Sequence, residues 1–234
     1  MAGLASAVLT LILLLASASA RAGDLFTGFQ MDSGAHYFAY LGLRDDLPWE
    51  AFGLKGYAQL FAAGQSYEYE SGSQDIDADV QLLIPSLGVT RSLGGGAWSV
   101  SALAGPKLEW KEEGGFPNGS RREFGVGGFV QAETMYWQET HSFHAIASYS
   151  SLDDFFFGRI RGKLRAYRPE TGCCTVFAGM DVAGMGNRDF SAIQTGLLAE
   201  VPIAWFSLLV RGGYQHDSAF GSGGYGGLEI YAPF

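Results

Sequence analysis

Two groups of residues in this chain combine types and spacings that could carry chemistry. The first lies in the run Phe155 to Arg168, where Arg159, Arg161, Lys163 and Arg165 fall on alternate positions. Gly158, Ile160, Gly162, Leu164 and Ala166 occupy the positions between and beside them. Four cations on one face would attract an anionic solute or hold carboxylates in place. The second group is His216 and Ser218, with Glu229 eleven residues after the serine. A serine nucleophile needs a histidine base within hydrogen-bond reach and an acid to orient that base.

Periodicity says what must position these groups. Successive side chains of a β-strand point to opposite faces, so the basic run has one cationic face and one apolar face. A helix would scatter the same charges around its circumference. Unpaired ions cannot enter a dry core without a cost of several kcal/mol or more. A strand whose apolar side meets lipid and whose charged side meets a polar lumen resolves the conflict, and that is a transmembrane β-barrel strand.

The rest of the chain repeats the pattern. Trp98, Val100, Ala102, Ala104, Leu108 and Trp110 share one parity, against Ser99, Ser101, Lys107 and Glu109 on the other. Val126, Val130, Ala132 and Tyr136 alternate with Gln131 and Glu133; Phe143, Ala145, Ala147 and Tyr149 alternate with Ser142, His144 and Ser148. Further strands are expected over 24–30, 35–43, 52–69, 80–93, 175–184, 190–201, 204–216 and 225–234. Turn chemistry separates them at Asp32-Ser33-Gly34, at Arg44 to Pro48, at Gly94-Gly95-Gly96 and at Arg168 to Gly172. Glu68 to Asp79 and Glu112 to Arg122 read as solvated outer loops. The expectation is an all-β, antiparallel, up-and-down transmembrane barrel of about twelve strands, or ten if 24–43 is one irregular strand. An even count and longer outer than inner connections suit a bacterial outer-membrane barrel, as does the aromatic Phe234.

Composition agrees. The 234 residues are 47% hydrophobic, 14% aromatic and 17% charged, with 34 Gly and 7 Pro, which argues against disorder and for short alternating strands. The net charge of −9 argues against nucleic-acid binding. Residues 1–22 read as a signal peptide, because Leu9 to Ala16 is apolar and Ala18-Ser19-Ala20 and Ala20-Arg21-Ala22 both fit small-x-small cleavage. The barrel domain is then 23–234, exported to the outer membrane and in contact with its lipid. Cys173 and Cys174 are adjacent, a spacing suited to neither a disulfide scaffold nor a metal site, and read as small residues at a turn. His36, His141 and His144 have no ligand-like spacing, so neither metal nor cofactor is expected.

With apolar parity outward, the lumen receives Lys55, Lys107, Arg159, Arg161, Lys163, Arg165 and Arg211, together with Glu109, Glu133, Asp181, Glu200 and Glu229. These charges could neutralise one another and plug the barrel, or line a cationic path for an anionic or hydroxyl-rich solute. Asp181 follows on the strand after the basic one, where a cross-strand ion pair is plausible.

Two resemblances add to this reading. His216-Asp217-Ser218 resembles the His-x-Ser of the lipid A deacylase PagL, an outer-membrane barrel. Parity places His216 and Ser218 outward and Glu229 inward, so that triad is not expected to close. The order of motifs along the mature chain resembles the cellulose biosynthesis protein BcsS family. The motifs are YFAYLG (Tyr37 to Gly42), SYEYES (Ser66 to Ser71), LAGPKLEW (Leu103 to Trp110), FFFGRIRGKL (Phe155 to Leu164) and FAGMDVAGMGNRDF (Phe177 to Phe190), then RGGYQHDS and GGYGGLEI. This resemblance implies a non-enzymatic part in making or exporting cellulose or a related exopolysaccharide. It implies cellulose-synthase components or the secreted polysaccharide as partners, and it supplies no active-site residues. A small pore and a lipid A hydrolase are the other expectations.

Overall fold

The structure is a computed structural model that describes residues 23–71, 74–116, 119–169 and 175–233. The expected signal segment, the Cys173-Cys174 pair and Phe234 lie outside the described residues. Twelve antiparallel strands follow in chain order: β1 (Gly23–Asp32), β2 (Tyr37–Ala51), β3 (Leu54–Ser71), β4 (Gln74–Leu93), β5 (Trp98–Phe116), β6 (Gly119–Trp137), β7 (His141–Ser150), β8 (Phe155–Tyr167), β9 (Val176–Gly186), β10 (Ser191–Ile203), β11 (Phe206–Asp217) and β12 (Gly221–Pro233). Each strand pairs with its sequence neighbours, and β1 pairs with β12 from Asp24↔Pro233 to Asp32↔Tyr225, which closes the ring. Closure leaves no strand edge, the condition for placing a sheet in lipid.

Alternation assigns the faces. Leu164 and Leu197 keep 68% and 67% of their surface exposed, and Ile160, Met180, Ile193 and Val210 point outward with them. That much exposed apolar surface is the lipid-facing belt of a membrane barrel rather than the exterior of a protein in water. Aromatic residues mark its borders. Trp98 packs on Tyr136 (4.6 Å between ring centroids) at one end, and Trp110 on Phe124 (5.4 Å) at the other. On a strand rising about 3.3 Å per residue and tilted by roughly 40°, the two tryptophans stand about 30 Å apart along the barrel axis, close to the height of an outer-membrane apolar band.

Gly23 and Pro233 lie at the same end, the periplasmic one in outer-membrane barrels. The opposite end carries the turns at 33–36, 151–154 and 187–190, and Ser218 to Phe220 between β11 and β12. Here the structure corrects the sequence reading. The described residues of these stretches, 68–71, 74–79, 112–116 and 119–122, are not open loops but strand, with Tyr69↔Ile76 and Glu68↔Asp77 in one hairpin and Lys111↔Glu123 and Glu112↔Arg122 in the other. The reason is that every second residue turns into a small core beyond the lipid belt. Ile76 and Ala78 are fully buried there, and Tyr69 Oη donates to Glu113 Oε1 (2.8 Å). The outward charges that make the segments look like loops pair across the ladder, as Arg122 does with Glu112 (3.0 Å). Added length at the outer end therefore sits in the hairpins rather than in irregular connections. Arg44 to Pro48 is likewise not a turn: β2 continues to Ala51 through a register shift between Asp46 and Glu50, and the turn falls at Phe52-Gly53.

Large rings in a narrow lumen need somewhere to lie, and glycines supply it. A Cβ on Gly42 would stand 2.0 Å from the Phe26 ring, and one on Gly88 would stand 2.4 Å from the Tyr57 ring. The rings therefore lie flat on the wall, and Tyr57 is 1% exposed. The face assignment has a direct test. Leu197→Arg, in the middle of β10 on the lipid face, is expected to cost about 2–4 kcal/mol in reversible unfolding from lipid vesicles, the magnitude for a cation at the bilayer midplane. A Leu197 that faced the lumen would tolerate the change.

Candidate functional site

The twelve-strand ring fixes which lumen charges can meet. Arg159, Arg161, Lys163 and Arg165 all point inward from β8, as alternation requires. None of them is left to repel its neighbours alone. On β12, Glu229 accepts from Arg161 Nη1 and Nη2 (both 2.9 Å) and from Arg159 Nη1 (3.2 Å). Asp181 on β9 is 2% exposed and accepts from Arg211 Nη1 (3.1 Å) and, at 3.5 Å, from Arg161 Nη2. Its other oxygen accepts from Tyr225 Oη (3.0 Å). Arg211 also donates to Gln30 Oε1 (2.7 Å), which ties β11 to β1.

A second cluster sits across the lumen. Arg44 Nη2 donates to Glu133 Oε2 (2.9 Å), and the other carboxylate oxygen is 2.8 Å from His144 Nε2. Gln59 Oε1 accepts from both Nε and Nη2 of Arg44, whose guanidinium lies 4.7 Å over the Tyr57 ring. Nearer the periplasmic rim, Lys163 pairs with Glu200 on β10 and stands 5.3 Å over the Trp137 ring. At the rim itself Arg165 Nη1 donates to Glu139 Oε1 (3.1 Å), and Arg168 donates to the same oxygen. Those two arginines, Arg168 first, hold the Glu139 carboxyl below its ordinary value.

Of the twelve charged residues expected in the lumen, Arg159, Arg161, Lys163, Arg165, Arg211, Glu133, Asp181 and Glu200 face inward, and each has an oppositely charged partner. The expected pairing of Asp181 with the basic strand is present, since Arg161 and Asp181 are register partners, but Arg211 holds the carboxylate more closely. Lys107 bonds Glu109 (2.7 Å), whereas Lys55 is exposed at the periplasmic end. Sequence reasoning missed Arg44, which stands beside Asp45-Asp46-Leu47-Pro48 and reads as turn, and it gave His144 no role.

The long-range pairs are chords rather than neighbour contacts. β8 and β12 are four strands apart in the ring, and so are β2 and β6. One chord is centred over β10 and the other over β4, on opposite sides of the barrel axis. Each chord ties walls a third of the circumference apart, and Glu133 and Glu229 are held by the cations that form them.

His216 does not assemble a triad. Its ring points outward, with Nδ1 2.9 Å from Ser222 Oγ, while Ser218 Oγ accepts from the backbone N–H of Ser191 (3.0 Å). Glu229 is inside among the arginines. Among the described residues no three His, Cys, Asp or Glu side chains converge as a metal site would require.

Comparison with known proteins agrees with this architecture. The family model described as cellulose biosynthesis protein BcsS matches residues 25–234. No curated protein matches the sequence significantly. Among solved structures, the β domain of the Bordetella autotransporter BrkA is similar, with 12% identity over 91% of this chain and 98% of that chain and a TM-score of 0.51. The translocator domain of the autotransporter NalP from Neisseria meningitidis shares 13% identity over 100% of this chain and 96% of that one, with a TM-score of 0.45. The KdgM porin shares 8% identity over 90% and 99%, with a TM-score of 0.44. At such identities the BrkA likeness shows the barrel fold alone, and the other two carry no further weight.

The charge network makes a quantitative prediction. Glu229→Gln leaves three buried arginines with one carboxylate and is expected to cost about 3–5 kcal/mol, the cost of removing one partner from a buried ion pair. Glu139→Gln, at the exposed rim where solvent screens the pair, is expected to leave stability essentially unchanged. Urea unfolding of the two refolded variants beside the parent checks both.

Proposed function

The chain belongs to the cellulose biosynthesis protein BcsS family, and from that premise we propose that it is a non-enzymatic outer-membrane accessory of cellulose or exopolysaccharide production. Family membership carries the role in cellulose biosynthesis. The non-enzymatic part is supported by one observation: the lumen carboxylates of Glu133, Asp181, Glu200 and Glu229 are each held by a cation. Glu229, the one acid that could complete a His216–Ser218 set, is held by Arg159 and Arg161 on the opposite face of the sheet from His216. Export through a signal peptide cleaved near Ala20 or Ala22 is part of the same proposal. So is association with cellulose-synthase components or with the emerging polysaccharide, for which the hairpins β3–β4 and β5–β6 offer a surface beyond the lipid belt.

Polysaccharide output in a deletion strain tests this reading. Loss of cellulose-binding dye retention and of β-linked glucose in secreted material is expected, with full restoration by a copy carrying His216→Ala and Ser218→Ala. Normal glucan in the deletion strain would detach the chain from cellulose production, and failure of that double variant to restore it would point to catalysis.

The other reading is a small pore for anionic or hydroxyl-rich solutes. Against the pore, the two chords carry paired side chains into the lumen on both sides of the axis, which narrows any bore. Planar-bilayer recordings of the purified barrel are expected to show no stepwise conductance. Anion-selective steps would favour the pore.

A further inference from the structure

The central cluster does not balance its charge. Arg159, Arg161 and Arg211 bring three positive charges, and Asp181 and Glu229 bring two negative ones. Other lumen pairs match one for one, such as Lys163 with Glu200, Arg44 with Glu133 and Lys107 with Glu109. Asp32 and Asp217, nearer the outer end, form no ion pair with these arginines. Asp32 is bonded by the Gly34 and His36 backbone N–H groups and by the His36 ring, and Asp217 by the Ala219 and Phe220 backbone N–H groups. Gln215 donates to both.

The donors are unbalanced as well. The Nε–H groups of Arg159, Arg161 and Arg211 are all buried, and none has a hydrogen-bond partner among the described residues. Arg211 Nε lies 3.3 Å from Glu229 Oε1, in a direction that makes no hydrogen bond. Both oxygens of Asp181 and both of Glu229 already accept other donors, and none accepts from these Nε–H groups. Three unmet guanidinium N–H groups and one surplus positive charge therefore occur at the same place. A buried water could accept the N–H groups but would leave the charge uncompensated, which is costly at side chains this enclosed.

We infer that Arg159, Arg161 and Arg211 form a binding site for a monovalent anion in the barrel lumen. The ligand is a halide-sized ion or a single carboxylate group such as a uronic acid carries. One negative charge completes the cluster, and a compact acceptor satisfies donors from two walls. Tyr40 on β2, whose ring lies over Gly28, faces the same lumen. Arg159 is the residue whose positive charge is surplus, because it holds the cluster through a single hydrogen bond to Glu229. The site goes beyond the accessory role and does not depend on it.

The test uses the purified full barrel, refolded in lipid. Its urea midpoint is measured against rising sodium bromide or sodium glucuronate, with ionic strength held by the bulky sulfonate buffer HEPES and glucose as the neutral control. The midpoint is expected to rise with the anion, and an anion at roughly ten times its dissociation constant raises the folding equilibrium constant about tenfold. A response to glucuronate alone assigns a sugar-borne carboxylate, and a response to both assigns any compact monoanion. Arg159→Gln should abolish the response and, in anion-free buffer, fold at least as stably as the parent, because it leaves two arginines facing two carboxylates. Arg159→Lys should keep the response, since it keeps the charge. A parent midpoint indifferent to both anions, or an Arg159→Gln barrel that responds as the parent does, overturns the site. Should Arg159→Gln not fold, bromide anomalous diffraction from parent crystals decides, with a peak among the three guanidiniums expected and its absence overturning the inference.

Discussion

Inside a bilayer there is no water to receive a backbone N–H or C=O, and each one left without a partner costs several kcal/mol. That constraint dictates the closed ring, because an open sheet would leave two strand edges in lipid. The antiparallel ladder from β1 through β12 and back to β1 leaves none. Closure in turn fixes the faces. Each strand must send alternate residues into lipid and into the lumen, and a one-residue slip would exchange the two sets. Leu164 and Arg165 are adjacent in sequence yet belong to different solvents.

Charges admitted to the lumen create the next requirement. A barrel of twelve strands is too narrow to surround each ion with bulk water and too wide for neighbouring strands alone to supply every partner. The chain meets this with long side chains that reach across the ring. Arg44 reaches Glu133, and Arg159 and Arg161 reach Glu229, each across an interval of four strands. Such contacts rigidify the walls against one another. They also occupy the carboxylates of Glu133 and Glu229. Within this network the central arginines carry one charge more than their partners, and polar groups so deeply enclosed have few other ways to be satisfied.

Much of the architecture was legible along the chain. The alternation of Arg159, Arg161, Lys163 and Arg165 with Ile160, Gly162 and Leu164 permits one conformation and one environment, and the structure has both. The inward direction of Glu133, Asp181, Glu200 and Arg211 follows from the same parity. The outward direction of His216, which separates it from Glu229, was readable for the same reason. Misread segments were those where local chemistry imitates a loop. Glu68 to Asp79 and Glu112 to Arg122 are acidic or mixed-charge, and their outward residues are solvated. Their inward residues, Tyr69, Ile76, Ala78 and Glu113, reveal a strand only when the opposite hairpin is present to cover them. Arg44 was hidden by its neighbours, because an Asp-Asp-Leu-Pro sequence signals a turn until β3 is seen pairing with it through Asp46↔Tyr57.

The sequence by itself determined the faces: which side chains meet lipid, which meet the lumen, and hence that the chain is a membrane barrel with a charged interior. It could do so because side-chain direction in a strand depends only on position parity. Only the tertiary structure decided the partners. Which carboxylate meets which arginine depends on strand number, register and closure, none of which is encoded within a single strand. Arg161 meets Asp181 on the next strand by register, but it meets Glu229 because the ring of twelve brings β12 within reach of β8. The surplus of one positive charge among Arg159, Arg161 and Arg211 is a property of that closure, and it appears nowhere in the order of the residues.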